Sequence, residues 1–180
     1  MPADSILQIK VTLADIRPPI WRRLQVPAGL TLARLHLVIQ TAMGWEDYHM
    51  HLFATPAGDY GRPDSELGHR NEAKVPLHAV APAAGDKICY TYDFGDGWEH
   101  VIEVEKVLPR ESDATYPHCL TGRRACPPED CGGPWGYGEL LAALADPKHE
   151  QHDELTEWIG GSFDPDHLDI DDINKQLADI

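Results

Sequence analysis

No apolar run in these 180 residues approaches the roughly 20 needed to cross a bilayer as a helix, so nothing in the sequence argues for a membrane span. The opening Met1-Pro2-Ala3-Asp4-Ser5 lacks the basic and apolar regions of a secretion signal, which makes the cytoplasm the expected location. Basic residues are scarce, with 15 Lys and Arg against 30 Asp and Glu for a net charge of -15. Phosphate backbones are bound by neutralising them with Lys and Arg and releasing counterions, so this balance disfavours a nucleic acid and leaves a protein or peptide as the expected partner. Cysteine is limited to four residues. Without an export signal a reducing compartment is expected, where thiols serve as ligands, nucleophiles or buried apolar groups more often than as disulfides. Internal repeats and low-complexity runs are absent as well. An apolar share of 42% and a charged share of 25% are ordinary for a globular chain, and one domain over residues 1–180 is expected.

The charge is unevenly placed. Residues 146–180 hold eleven acids against Lys148 and Lys175, whereas residues 1–43 hold five Lys or Arg against Asp4 and Asp15. A small basic patch around Arg17, Arg22 and Arg23 is the one feature that favours a phosphate partner, set against an ordinary mixed surface that serves solubility.

Alternating apolar residues predict strands over Ser5–Leu13 and Ile20–Val26, joined into a hairpin across the extended Pro18-Pro19. Thr31 can cap a helix whose Leu32, Leu35, Ile39, Ala42 and Met43 recur at helical spacing, with Gly44 as its stop. Further strands are expected over Tyr48–Thr55, Lys87–Phe94 and Glu99–Leu108, with Val75–Val80 a short strand or turn. Residues 56–72 read as a long polar loop, and Cys89 as a buried strand residue. The first 110 residues thus form a sheet-and-helix core and residues 111–135 a loop rich in Cys and Pro. Residues 136–180 form an acidic helical extension with helices over Gly138–Ala145, Glu150–Ile159 and Asp169–Leu177. The order predicts an α+β fold with an antiparallel or mixed sheet covered by one main helix.

Two segments carry more chemistry than their local structure requires. Tyr92-Asp93-Phe94-Gly95-Asp96-Gly97-Trp98-Glu99-His100 places two carboxylates, an indole and an imidazole at a predicted hairpin turn. Tyr116 to Pro134 brings Cys119, Cys126 and Cys131 together with Glu129 and Asp130 on a stretch too rich in Pro and Gly for a helix or a central strand.

These two segments, together with Ile16-Arg17-Pro18-Pro19-Ile20-Trp21-Arg22-Arg23, Met43-Gly44-Trp45 and His49-Met50-His51-Leu52-Phe53, resemble the plasmid pRiA4b ORF-3-like family, also labelled a transposon-passenger, resolvase-like family. The resemblance covers nearly the whole chain and implies a β-grasp-like α+β fold and an association with mobile elements. It implies little biochemistry, because the family is largely uncharacterised. Family members often carry an apolar residue where Cys131 stands here. A serine recombinase would need a nucleophilic Ser among arginines and a basic DNA-binding segment, whereas Ser5, Ser65, Ser112 and Ser162 are scattered and the tail is acidic.

Three chemistries fit the residues. Zinc prefers thiolate and imidazole, so Cys119, Cys126, His51 and His100 form one ligand set, with Cys131 and His49 as alternates. The cysteine spacings of seven and five are wider than the two-residue knuckle of a strong zinc signal. In a second arrangement Asp93, Asp96, Glu129 and Asp130 hold a divalent cation and position water for hydrolysis while His100 moves protons. Each of these acids also has a plain role in a turn or cap. A third reading joins Trp21, Trp45, Trp98 and Trp135 into an aromatic groove for a partner, against the core packing that large rings usually serve. The sequence thus describes a binding or accessory protein with a candidate metal site, and a metal-dependent hydrolase or a nucleic-acid-associated protein as the alternative.

Overall fold

The computed structural model describes residues 4–64, 66 and 68–180; Met1–Ala3, part of the segment read for a secretion signal, and Ser65 and Leu67 lie outside the described residues. Strands β1 (Ser5–Leu13) and β2 (Trp21–Pro27) pair antiparallel from Ile6↔Pro27 to Thr12↔Trp21, as the alternation predicts. Helix α1 (Leu32–Met43) begins where the Thr31 hydroxyl accepts from the Arg34 N–H at 3.4 Å and ends at Gly44, whose φ of 103° only glycine adopts without strain. Its buried stripe contains Leu32, Leu35 and Ile39, and also the polar His36 and Gln40.

The segment expected to be a long loop is partly structured. β3 (His51–Thr55) turns at Gly58 into β4 (Gly58–Gly61), and β5 (Arg70–Asn71) adds to β4 before a 3-10 turn over Glu72–Lys74. Val75–Val80 yields the short helix α2 (Leu77–Val80), because Pro76 suits a helix start and offers no N–H to a ladder. β6 (Lys87–Tyr92) and β7 (Trp98–Pro109) form the hairpin predicted around Gly95-Asp96-Gly97. Cys89 is exposed, contrary to expectation, because the alternation turns its neighbours Ile88 and Tyr90 inward and Cys89 outward.

The segment read as a Cys and Pro loop contains β8 (His118–Arg123), an edge strand where flanking prolines cost no ladder bonds. Then follow α3 (Gly133–Ala145), α4 (His152–Trp158) and α5 (Ile170–Leu177). Among the described residues the sheet has eight strands in the order β5-β4-β3-β6-β7-β1-β2-β8, antiparallel except for the β4–β5 pair. The fold is thus α+β with a mixed sheet. The C-terminal helices are built into its core rather than appended to it, since Tyr137, Leu140 and Leu177 join the buried cluster with Leu7, Leu24 and Ile39. Asn174 of α5 also clamps the Cys119 peptide of β8, accepting from its N–H at 2.7 Å and donating to its carbonyl at 2.9 Å. No helix among the described residues is long and apolar enough to cross a membrane.

Candidate functional site

The β6–β7 turn is locked by its own backbone. Asp93 takes a left-handed φ of 56°, its Oδ1 accepts from Gly95 N–H at 2.9 Å, and its carbonyl accepts from Gly97 N–H at 2.6 Å. The Asp93 N–H donates to Met50 O at 2.9 Å, which ties the segment bearing His49 to the turn. From the other side, the loop before α3 lies on the segment after α1 and on the hairpin. Trp45 Nε1 donates to Pro127 O at 3.0 Å, Glu46 N–H donates to Glu129 Oε1 at 2.9 Å, and Gly132 N–H donates to Asp96 Oδ2 at 3.1 Å. Gly133 closes the contact, because a Cβ there would stand 2.2 Å from the Asp96 carbonyl oxygen.

This folding brings His49, Asp93, Glu129 and Asp130 to one point. His49 Nε2 lies 2.9 Å from Asp130 Oδ1, 3.6 Å from Asp93 Oδ2 and 4.0 Å from Glu129 Oε2. The nitrogen itself is buried, and despite these close carboxylates it makes no hydrogen bond among the described residues. Two ligands about 2.1 Å from one cation at a right angle stand about 3.0 Å apart, so the spacing suits a shared ion. Ligand atoms of His49, Asp93 and Asp130 all lie within 4.8 Å of one another. Asp93 is buried while Asp130 is exposed, so the group opens to solvent on one side.

Aromatic rings floor the site. Tyr92 accepts from the N–H groups of Tyr48 and His49 at 3.0 and 3.4 Å and donates to Glu129 Oε1 at 3.1 Å. Burial and the adjacent Glu129 push its hydroxyl well above the ordinary phenol range, so it stays a donor. Trp45 stacks on Tyr92 at 5.0 Å and meets His100 edge-on at 5.3 Å. His100 lies in this core, apart from the acids. Its Nδ1 bonds the Tyr90 and Trp98 carbonyls at 3.2 and 3.1 Å, and burial lowers its pKa to about 4. The ring is fully buried and turned to backbone carbonyls, and among the described residues no carboxylate lies within ion-pair distance of it.

The thiols take a different place from that expected. Among the described residues, the cysteines belong to neither group of three or more converging ligand atoms. Cys119 and Cys126 lie in the field of the buried Arg22 guanidinium instead. Burial pushes Cys119 up to about 11, Cys131 up to about 12 and Cys126 well above the ordinary thiol range. The hairpin and the loop do meet, but through acids and His49, not through Cys119, Cys126, His51 and His100.

His51 belongs to a second polar cluster that the sequence reading missed. Its Nε2 lies 2.9 and 3.0 Å from the two oxygens of buried Glu72, and its ring stacks on that of His36 at 3.5 Å and 8°. His36 in turn contacts the Tyr90 hydroxyl and Asp47 Oδ1, each at 2.8 Å, and Asp47 pairs with Arg62. Burial is the main cause that lowers His36 to about 4, with the neighbouring His51 second. Ligand atoms of His36, Asp47 and His51 also converge, but parallel rings hold their lone pairs in separate planes, so one ion cannot lie in the plane of both. This cluster is a structural tie between α1, β3 and the 3-10 turn. Its signal was available, since His36 stands four residues after Leu32 on the buried stripe of α1.

The basic patch loses Arg22 and Arg23 and keeps only Arg17 exposed, and the aromatic groove dissolves in the same way. Arg22 is 1% exposed, with its guanidinium on the carbonyls of Ala42, Trp21 and Arg123, and Arg23 pairs with Glu105 at 2.6 and 2.8 Å. Trp45 and Trp98 are core residues, Trp21 lies beneath Lys10 and Arg23, and Trp135 alone of the four is largely exposed.

Three comparisons bear on this arrangement. The model of the family described as plasmid pRiA4b ORF-3-like protein matches residues 5–172. A protein of Sinorhizobium fredii described as "Uncharacterized protein y4hQ" is 42% identical over 180 residues, covering 98% of this chain and 92% of the relative. The crystal structure of MM3350 from Methanosarcina mazei Go1, described as a protein of unknown function, superposes with a TM-score of 0.84 at 38% identity, over 95% of this chain and 98% of that one.

Proposed function

This chain belongs to the plasmid pRiA4b ORF-3-like family, and we propose that here the fold serves as a binding module that holds a divalent cation between His49, Asp93 and Asp130, with Glu129 as a further oxygen. The observation that carries this reading is the His49 Nε2 atom, buried without a hydrogen bond yet 2.9 Å from one carboxylate oxygen and 3.6 Å from another. A buried imidazole nitrogen close to carboxylates but without an aligned hydrogen bond costs free energy, and a cation between it and the acids would satisfy all three groups at once. Zinc accepts imidazole and carboxylate as well as thiolate, and manganese favours the same mixed set, so these are the ions to try first.

Elemental analysis and calorimetric titration with Zn²⁺ and Mn²⁺ test the reading. One equivalent is expected in the wild type and a loss of at least tenfold in affinity in His49→Ala and Asp93→Asn, with Cys126→Ser unchanged. Failure of both ions to bind, or full binding in both variants, would refute it.

Metal-dependent hydrolysis is the second reading, supported by Glu129, which stands 4.0 Å from His49 Nε2 and is oriented by Tyr92, where it could take a proton from a cation-bound water. The β-grasp likeness, a single domain, the mobile-element association and a cytoplasmic location belong to the same proposal. The four unpaired cysteines support a reducing compartment, and the packing of α1 on the sheet supports the fold.

A further inference from the structure

Beside the acid and imidazole cluster, α3 and α4 leave a cleft of about 360 Å³ between them. Its apolar side is Leu140, Leu155 and Trp158, and its polar side includes the carboxyl groups of Asp130, Glu139 and Glu154, with no Lys, Arg or His in the lining among the described residues. Among the described residues Glu139 and Glu154 have neither an ion-pair partner nor a side-chain hydrogen bond. Glu154 stands in the first turn of α4, where it complements the helix dipole, but Glu139 lies in the middle of α3 and gains nothing from that effect. Trp158 remains 48% exposed at the cleft, although covering an indole is worth several kcal/mol.

We propose that this cleft binds a basic segment of a partner protein, seating a Lys or Arg side chain with its aliphatic stem on Leu140, Leu155 and the Trp158 face and its charged head between Glu139 and Glu154. Charge complementarity selects this occupant. A nucleic acid or an acidic peptide would bring negative charge to three carboxylates on a chain of net charge -15. A cation over an indole face adds attraction that a neutral apolar side chain lacks, and long basic side chains cover apolar surface while keeping their charge at the rim. The volume suits one such side chain with its flanking backbone. This site adjoins the proposed cation site through Asp130 but does not depend on it.

The test uses the full chain and fluorescein-labelled Gly-Lys-Leu-Lys-Gly, with Gly-Glu-Leu-Glu-Gly as control, read by fluorescence polarisation before and after chelation of metal by EDTA. Saturable binding of the Lys peptide alone is expected, weakened at least tenfold in the Glu139→Gln/Glu154→Gln double variant and in Trp158→Ala. Both acids are exposed, so the double variant should keep the wild-type circular dichroism and melting curve. Equal affinity for both peptides, no binding of either, or unchanged affinity in the folded double variant would overturn the proposal. Metal binding by the double variant is expected to equal that of the wild type, so a failure of the cation site leaves peptide binding intact and the converse also holds.

Discussion

At the scale of single residues, Gly133 shows how the candidate site is held. Its φ of 69° is left-handed, and a Cβ would meet the Asp96 carbonyl at 2.2 Å, so the loop bearing Glu129 and Asp130 reaches the hairpin only with glycine at this point. Gly133→Ala is expected to cost about 2 kcal/mol or more, from left-handed strain and the displaced backbone. Urea denaturation reads that loss, and cation titration should show weaker binding as Asp130 moves away from His49. A variant as stable as the wild type would mean that the loop is not fixed by this contact.

At the scale of elements, the edge strand β8 depends on α5. Asn174 supplies both an acceptor and a donor to the Cys119 peptide, so the strand's outer side is closed by a side chain where a further strand would otherwise pair. Removing both bonds in Asn174→Ala leaves partly buried backbone groups unpaired, at a cost of about 2 kcal/mol. Hydrogen exchange is expected to speed up in β8 and α5 while β6 and β7 keep their protection; uniform acceleration throughout the sheet would argue against a local clamp. Element α1 combines a strongly marked sequence signal with an unmarked one. Its cap, apolar stripe and glycine stop are local features and can be read residue by residue. The inward direction of His36 and Gln40 follows from the same periodicity, but their acceptability in a core depends on Asp47 and Tyr90, which are distant in sequence or in a different element.

At the scale of the whole molecule, two buried imidazoles couple stability to pH. His36 and His100 both fall to about 4 through burial, below the usual 6.5 of an unfolded chain. Between those values the unfolded state binds more protons than the folded one, so stability rises with pH across that window. It is fully present above about pH 6.5 and is lost as pH falls toward 4, by on the order of 3 kcal/mol for each ring. Urea midpoints measured at pH 7.5 and 4.5 check this, and His36→Gln should flatten the slope; a midpoint independent of pH in this window would contradict it. The two hairpins and helix α1 were legible in outline, because alternation, turn glycines and the helix cap are written in neighbouring residues, whereas the order of strands across the sheet is set by pairing between segments distant in sequence. The choice of ligands was not. Cys119 and His100 have the chemistry of a zinc site but face into the core, with Cys126 packed against it, and which side of a strand faces in at β7 and β8 is set by pairing with distant strands. Arg22 misled for a similar reason: a guanidinium reads as surface charge until the carbonyl of Ala42, at the end of α1, is found 2.7 Å from its Nε.

The most direct test of the cation site is anomalous diffraction from crystals of the full chain grown with Mn²⁺. An anomalous peak about 2.1–2.3 Å from His49 Nε2, Asp93 Oδ2 and Asp130 Oδ1 is the predicted result. Crystals with Mn²⁺ ordered elsewhere and His49 bonded directly to Asp130, or with density between Cys119 and Cys126, would contradict it.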